Sequence, residues 1–135
     1  MSWDKRFMQM AKLISSWSKD PEKQVGCVVV DKNKHIVSTG YNGYPSGFND
    51  QDTEDRLSKV VHAEINAIIS ARSDLTGCTL YVYPLLPCSS CAGAIIQAGI
   101  TRVVVFDILD LPKWRTDISK DIFDELGVKL EVAYV

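Results

Sequence analysis

Two short stretches of this 135-residue chain carry side chains able to hold a metal ion. In Pro87-Cys88-Ser89-Ser90-Cys91 two thiols stand three positions apart, and on the first turn of a helix that spacing puts both on one face, as a tetrahedral site requires. The first turn also lies in the positive end of the helix dipole, which lowers a thiol pKa and favours the thiolate that zinc binds. Pro87 sits just before the helix, where its missing donor costs little. The second stretch is His62-Ala63-Glu64, an imidazole at the opening of another helix with a carboxyl two residues on. His62, Cys88 and Cys91 supply one nitrogen and two sulfurs, and no fourth ligand is evident nearby in sequence. Three protein ligands with an open position describe a catalytic zinc carrying water rather than a closed structural site. Glu64 is placed to reach that water without ligating the metal, as a carrier of protons. Alone, Cys-x-x-Cys also serves redox pairs and structural zinc ribbons, and His-x-Glu says almost nothing. Their joint occurrence, in this order and each opening a helix, selects the catalytic metal.

The elements that must position these residues are marked by apolar periodicity. Phe7, Met10, Ala11, Leu13, Ile14 and Trp17 recur at helical spacing after a start at Ser2 or Asp4, and Asp20-Pro21 ends that helix. Gly26 to Val30 and His35 to Gly40 are β-branched runs joined by the polar turn 31–34, which predicts a hairpin. A loop from Tyr41 to about Leu57 holds the turn formers Gly43, Pro45, Gly47, Asn49 and Asp50. Val61, Ile65, Ile68 and Ile69 predict a second helix stopped near Ser73-Asp74, and Thr79 to Tyr83 a third strand. Cys88 to Ala98 is a helix of small and apolar residues ended by Gly99. Arg102 to Phe106 reads as a strand, Asp117 to Leu126 as a helix closed by Gly127, and Val128 to Val132 as the last strand. Strands alternating with helices imply an α/β fold, a three-layer α-β-α sandwich around a five-stranded mixed sheet. Strands one and two are expected to be antiparallel, as the only such pair, and the rest mostly parallel. In such sheets sites gather beyond the carboxyl ends of the strands, where helix N-termini point their free N–H groups.

Composition bounds the reading. With 46% hydrophobic and 24% charged residues and no repeat or linker, residues 1–135 read as one domain. A net charge of -2 gives no basic field for the backbone of a nucleic acid polymer, though a small anion needs only a few local donors. The opening Met1-Ser2-Trp3-Asp4-Lys5-Arg6 lacks the apolar stretch of a secretory signal, and no run approaches a membrane span. Four cysteines without an export signal point to metal or catalytic use and a cytoplasmic setting. Cys27 and Cys78, flanked by apolar residues at strand starts, read as inert buried thiols, and His35 and Arg102 as surface residues. Trp3, Trp17 and Trp114 read as core or interface side chains, with a cover over the pocket the alternative for Trp114; Arg115 reads as a surface charge.

The pattern H-x-E…P-C-x-x-C is the signature of zinc-dependent nucleobase deaminases. The sequence closely resembles the deoxycytidylate (dCMP) deaminase family of the cytidine deaminase superfamily over nearly its whole length. The likeness runs through Ser18-Lys19-Asp20-Pro21, Gln24-Val25-Gly26, Gly40-Tyr41-Asn42-Gly43-Tyr44-Pro45-Ser46-Gly47, His62-Ala63-Glu64-Ile65-Asn66-Ala67-Ile68, the Pro87 to Cys91 motif, and Ile95-Ile96-Gln97-Ala98-Gly99-Ile100. The zinc motifs belong to the superfamily; the Gly-Tyr-Asn-Gly loop and Asn66 point to the dCMP branch. The resemblance implies the cytidine deaminase-like fold and hydrolysis of dCMP to dUMP and ammonia, with Zn2+ lowering the pKa of its water toward about 7. It implies a contact from Asn42 to the sugar hydroxyl and from the Ala63 amide to the base, although Asn-Gly is also a plain turn signal. Ser18, Lys19 and Lys23 are nominated for the phosphate, with a solvated charged loop as the alternative. The resemblance further implies a homo-oligomer, hexamer or dimer, and a triphosphate effector with Mg2+ on Gly40, Tyr41 and Gly43. The chain is short between Tyr44 and Val60, where regulated relatives often carry an insertion with further metal ligands, so one zinc per chain is expected.

Rival readings separate on specific features. Other free cytosine substrates (deoxycytidine, 5-substituted dCMP, dCTP) share the zinc motifs and differ at the phosphate and ring pocket. A tRNA adenosine editor would show a basic face. A zinc-stabilised module without catalysis would have no use for Glu64 beside an open coordination position.

Overall fold

The computed structural model describes residues 1–49, 55–106 and 113–135, with side chains at all of these but 113–116. The sequence readings at Asp50, Trp114 and Arg115 lie outside those descriptions. Helix α1 spans Trp3–Ser15, capped by Ser2, whose hydroxyl accepts from the Lys5 N–H at 3.2 Å. The remaining elements are β1 (Gly26–Val30), β2 (Ile36–Tyr41), α2 (Arg56–Lys59), α3 (Ala63–Ser70), β3 (Thr79–Tyr83), α4 (Ser89–Gln97), β4 (Arg102–Val105), α5 (Lys113–Glu125) and β5 (Lys129–Val132). The short α2 interrupts what the turn formers mark as continuous loop, and α5 starts four residues before the expected Asp117.

The sheet order is β2-β1-β3-β4-β5, and β1 is its one reversed strand. The expectation that only the first two strands pair antiparallel is corrected here: β1 lies between β2 and β3 and runs antiparallel to both, while β3, β4 and β5 pair in parallel. Local patterning identifies a hairpin but not which strand joins its far edge. The consequence is positional. Gly26, at the start of β1, stands opposite Tyr41 and Tyr83 at the ends of β2 and β3, so the loop feeding β1 sits on the same edge as the loops leaving β2 and β3.

Alternation along the strands divides the core. Cys27, Val29, Leu80, Val82, Val103 and Val105 face the layer of α3, α4 and α5, and Val28, Val30, Tyr81 and Val104 face α1. All five residues of β1 are buried, as expected of a central strand covered on both faces. Cys27 and Cys78 are buried free thiols. On α1 the buried face is Phe7, Met8, Ala11 and Ile14, whereas Leu13 and Trp17 from the sequence-derived stripe are each 53% exposed and Trp3 is 49% exposed. The helix ends at Ser15, so Trp17 falls beyond its periodicity.

Arg102, expected on the surface, is instead partly covered between Asp4 and Glu131, with Nη2 donating to each carboxylate at 2.6 Å, and Tyr81 donates its hydroxyl to Asp4 at 2.6 Å. With side chains 26% and 34% exposed, the Arg102–Asp4 pair adds about 0–1 kcal/mol, whereas burying each of Phe7, Met8 and Ile14 adds about 1.5–3 kcal/mol. The helix is held by its apolar face and oriented by the ion pair.

Two backbone approaches fix the functional layer. A Cβ on Gly40 would lie 2.4 Å from the Ala63 carbonyl oxygen and 2.5 Å from the Ala67 nitrogen, so only glycine allows α3 to rest this close on β2. The Ser38 hydroxyl reinforces the contact by donating to the Ala67 carbonyl at 2.7 Å.

Candidate metal centre and active site

His62 is the N-cap of α3 and Cys88 the N-cap of α4, both with extended backbone, and Cys91 lies one turn into α4. The side chains of His62 and Cys88 do not cap their helices, which leaves them directed elsewhere. Several bonds hold the two helix openings. Gly43 and Val61 exchange backbone hydrogen bonds at 3.1 and 2.8 Å, closing the loop before His62, and Asn66 Nδ2 donates to the Tyr41 carbonyl at 2.8 Å. On the other side the fully buried Ser119 of α5 donates to the Pro87 carbonyl at 2.7 Å, bracing the residue before Cys88.

The ligand atoms of His62, Cys88 and Cys91 all fall within 4.8 Å of one another, and they form the group of metal-binding type among the described residues. His62 Nδ1 is 3.2 Å from Cys91 Sγ and 3.6 Å from Cys88 Sγ. Bonds of about 2.0–2.1 Å to nitrogen and 2.3 Å to sulfur give a tetrahedral N···S edge of about 3.5 Å, so this donor set fits zinc. Hydrogen bonds from Cys91 and His62 hold Cys88 well below the usual thiol range, while the bond to Cys88 and burial push Cys91 up. Cys88 is half-buried and Cys91 buried.

Glu64 is 5% exposed and lines the cleft beside His62 and Cys88. Burial raises its pKa, opposed by its own backbone N–H and by the imidazole of His62, so the carboxyl is set closer to neutrality than an exposed glutamate. That is the direction a group needs if it is to accept and return a proton near neutral pH.

The cleft has a volume of about 200 Å³. Ala63, Asn42 and Lys23 line it, together with Val25, Leu57 and Leu86. Asn42 is 6% exposed; its Oδ1 accepts from the Val25 N–H at 2.9 Å and its Nδ2 donates to the Lys23 carbonyl at 2.8 Å. One N–H and one lone pair of the amide remain for a ligand. Ser18 is buried at 3% exposure and spent inside the loop, donating to the Asn42 carbonyl at 2.8 Å and accepting from the Asp20 N–H. Lys19 lines a second cleft of about 290 Å³ with Trp17, Tyr41, Gly43 and Tyr44, next to the first. Gly40 lines neither, being turned into the contact with α3.

Sequence reasoning missed Arg56, Asp20 and Glu22, which line the cleft wall facing the metal ligands. Arg56 donates to Asp20 Oδ2 at 2.8 Å and pairs with Glu22 Oε2 at 3.2 Å. The signal available was weak: an arginine in a polar loop, and an Asp-Pro that reads as a helix stop.

Known proteins resemble this chain in both sequence and fold. The model of the cytidine and deoxycytidylate deaminase zinc-binding region matches residues 1–107. An uncharacterized deaminase in the luxG 3′ region of Aliivibrio fischeri is 46% identical over 136 residues, covering 95% of this chain and 91% of that protein. A probable deoxycytidylate deaminase of Caenorhabditis elegans is 44% identical, covering 93% of this chain and 67% of that protein. The crystal structure of dCMP deaminase from cyanophage S-TIM5 in complex with dCMP and dUMP superposes with a TM-score of 0.78 at 32% identity, covering 95% and 94% of the two chains.

Proposed function

The chain belongs to the cytidine and deoxycytidylate deaminase family, and from that premise we propose that it hydrolyses dCMP to dUMP and ammonia. The observation that carries this is the convergence of His62, Cys88 and Cys91 within 4.8 Å beside buried Glu64. The substrate follows from the named relatives and from the dCMP and dUMP bound to the phage protein. Residues 1–135 act as a single domain.

His62, Cys88 and Cys91 would hold one Zn2+, which when bound would supply the Lewis acidity that makes water a nucleophile at neutral pH. Glu64 takes a proton from the attacking water as the water oxygen bonds to C4 of cytosine, and gives that proton to N3. It then moves the proton of the new C4 hydroxyl to the 4-amino nitrogen, the C4–N bond breaks, ammonia leaves and the C4 carbonyl forms. The Ala63 N–H, free on the first turn of α3, orients the base, and Asn42 meets the sugar hydroxyl. Lys23, on the cleft wall, supports the phosphate. Ser18 contributes by shaping that loop, and Lys19 belongs to the neighbouring cleft.

A triphosphate effector with Mg2+ would use that second cleft, through Tyr41 and Gly43, while Gly40 seats the helix behind it. Exposed Leu13, Trp17 and Tyr41, the latter two with rings 6.2 Å apart, support a homo-oligomer, hexamer or dimer. Among the described residues no helix is long and apolar enough to cross a membrane. The reading places the enzyme with free nucleotides in the cytoplasm.

Ammonia release from cytidine, deoxycytidine, dCMP, 5-substituted dCMP and dCTP, with and without added triphosphates, tests this reading. The expected result is a clear preference for dCMP. Equal turnover of deoxycytidine and dCMP would overturn it.

A further inference from the structure

We propose that Arg56 reads the 5′-phosphate of the substrate, with Glu22 occupying the guanidinium in the phosphate's place and Asp20 keeping it aimed. The inference rests on the reading of the substrate as a free nucleoside monophosphate and adds the residue that makes the phosphate count.

Arg56 lies on the wall of the cleft that also holds His62, Glu64 and Cys88, and its side chain is 16% exposed. Its two partners differ in kind. Asp20 has a side chain only 5% exposed; its Oδ1 accepts the N–H groups of Glu22 and Lys23 at 2.9 Å each, and its Oδ2 accepts Arg56 Nη1 at 2.8 Å. That carboxylate is built into the loop and cannot leave without breaking it. Glu22 is 72% exposed and meets Nη2 at 3.2 Å, a contact of the kind that adds little in water and exchanges readily. Nη2 is therefore the replaceable position, and guanidinium binds phosphate oxygens through paired N–H groups better than an ammonium does.

Charge supports the same exchange. Asp20, Glu22, Lys23 and Arg56 sum to zero on this wall, and a phosphate monoester brings close to two negative charges. Displacing Glu22 into solvent removes one carboxylate from beside the phosphate and leaves Arg56 and Lys23 facing it. Arg56 also borders the second cleft, so a phosphate on it could belong either to substrate or to a triphosphate in that cleft; the first is the proposal.

The test compares kcat/KM for dCMP and deoxycytidine in wild-type and variant enzymes, without added triphosphate. Arg56→Gln is expected to cut the dCMP/deoxycytidine ratio at least tenfold, through KM for dCMP. Glu22→Gln should lower KM for dCMP, and Asp20→Asn should reduce the ratio by a smaller factor, on KM rather than kcat. Inorganic phosphate should compete with dCMP in the wild type and lose that effect in Arg56→Gln. If Arg56→Gln fails to fold or to hold zinc, the Glu22→Gln KM and phosphate competition in the wild type decide: neither moving as expected overturns the proposal. It is equally overturned if Arg56→Gln keeps the wild-type ratio, or alters only the response to added dCTP. A wild-type enzyme inactive on dCMP would sink the functional reading and the inference with it; an active one whose ratio ignores Arg56 would sink the inference alone.

Discussion

The two walls of the cleft are built on different principles. The metal-binding wall is carried by the first turns of α3 and α4, the former seated on β2 through Gly40 and Ser38 and the latter braced by Ser119 of α5. The other wall is residues 18–25 and α2, held by the Asp20–Arg56 pair, by Asn42, which accepts from Val25 and donates to Lys23, and by Ser18, which donates to the Asn42 carbonyl. Chemistry that tolerates no displacement sits on packed elements, while recognition, which must admit and release a nucleotide, sits on a loop held by polar bonds. Mutations on the first wall should therefore strike turnover or folding, and those on the second should strike KM.

The largest expected effect is at Glu64. Glu64→Gln should reduce ammonia release by about 100- to 10,000-fold while the zinc content stays near one per chain. Full turnover in the variant would remove the proton carrier from the scheme. Next, Cys91→Ala takes a ligand from the buried side of the site, and metal analysis should show zinc falling well below stoichiometric. Stoichiometric zinc in that variant would overturn the ligand set, and chelation of the wild type should abolish turnover until zinc is restored.

Gly40→Ala tests whether packing sets the site. Its Cβ would meet the α3 backbone, and denaturant unfolding should register a loss of about 1–3 kcal/mol, with turnover reduced because α3 carries His62 and Glu64. Unchanged stability would mean the helix is less firmly seated than the distances imply. On the other wall, Asn42→Ala removes the bonds to Val25 and Lys23 and should raise KM for dCMP more than it lowers kcat in steady-state assays.

The smallest effect lies away from the cleft. Hydrogen bonds from Arg102 are the main cause holding the Asp4 and Glu131 carboxyls below their usual range. A depressed folded pKa means stability that is present above the unfolded carboxylate range and is lost as pH falls through the folded values. Urea midpoints measured at neutral and acid pH should therefore lie closer together in Arg102→Gln than in the wild type.

The same division explains what could be read from the chain. His62, Glu64, Cys88 and Cys91 were legible because each stands at a helix opening announced by apolar periodicity, at spacings with few other uses. The α/β class followed from alternating elements. The hairpin of β1 with β2 followed too, but the pairing of β1 with β3 did not, because strand order is decided by long-range packing and not by any local pattern. With β1 reversed, the 18–25 loop arrives at the site edge, and only then does Asp20 meet Arg56, thirty-six positions away in sequence. Neither residue differs locally from an ordinary solvated charge. Trp17 belongs to the apolar stripe by spacing but not in the structure, because it lies past the point where the helix ends.

The turn 31–34 joins β1 to β2 at the edge of the sheet remote from Gly26 and Tyr41. It is polar, and Asp31 closes it by accepting the N–H groups of Asn33 and His35 through Oδ1. A reporter peptide grafted there would hang from the opposite end of β1 and β2 from the site, giving a labelled enzyme whose signal and whose turnover can be followed independently.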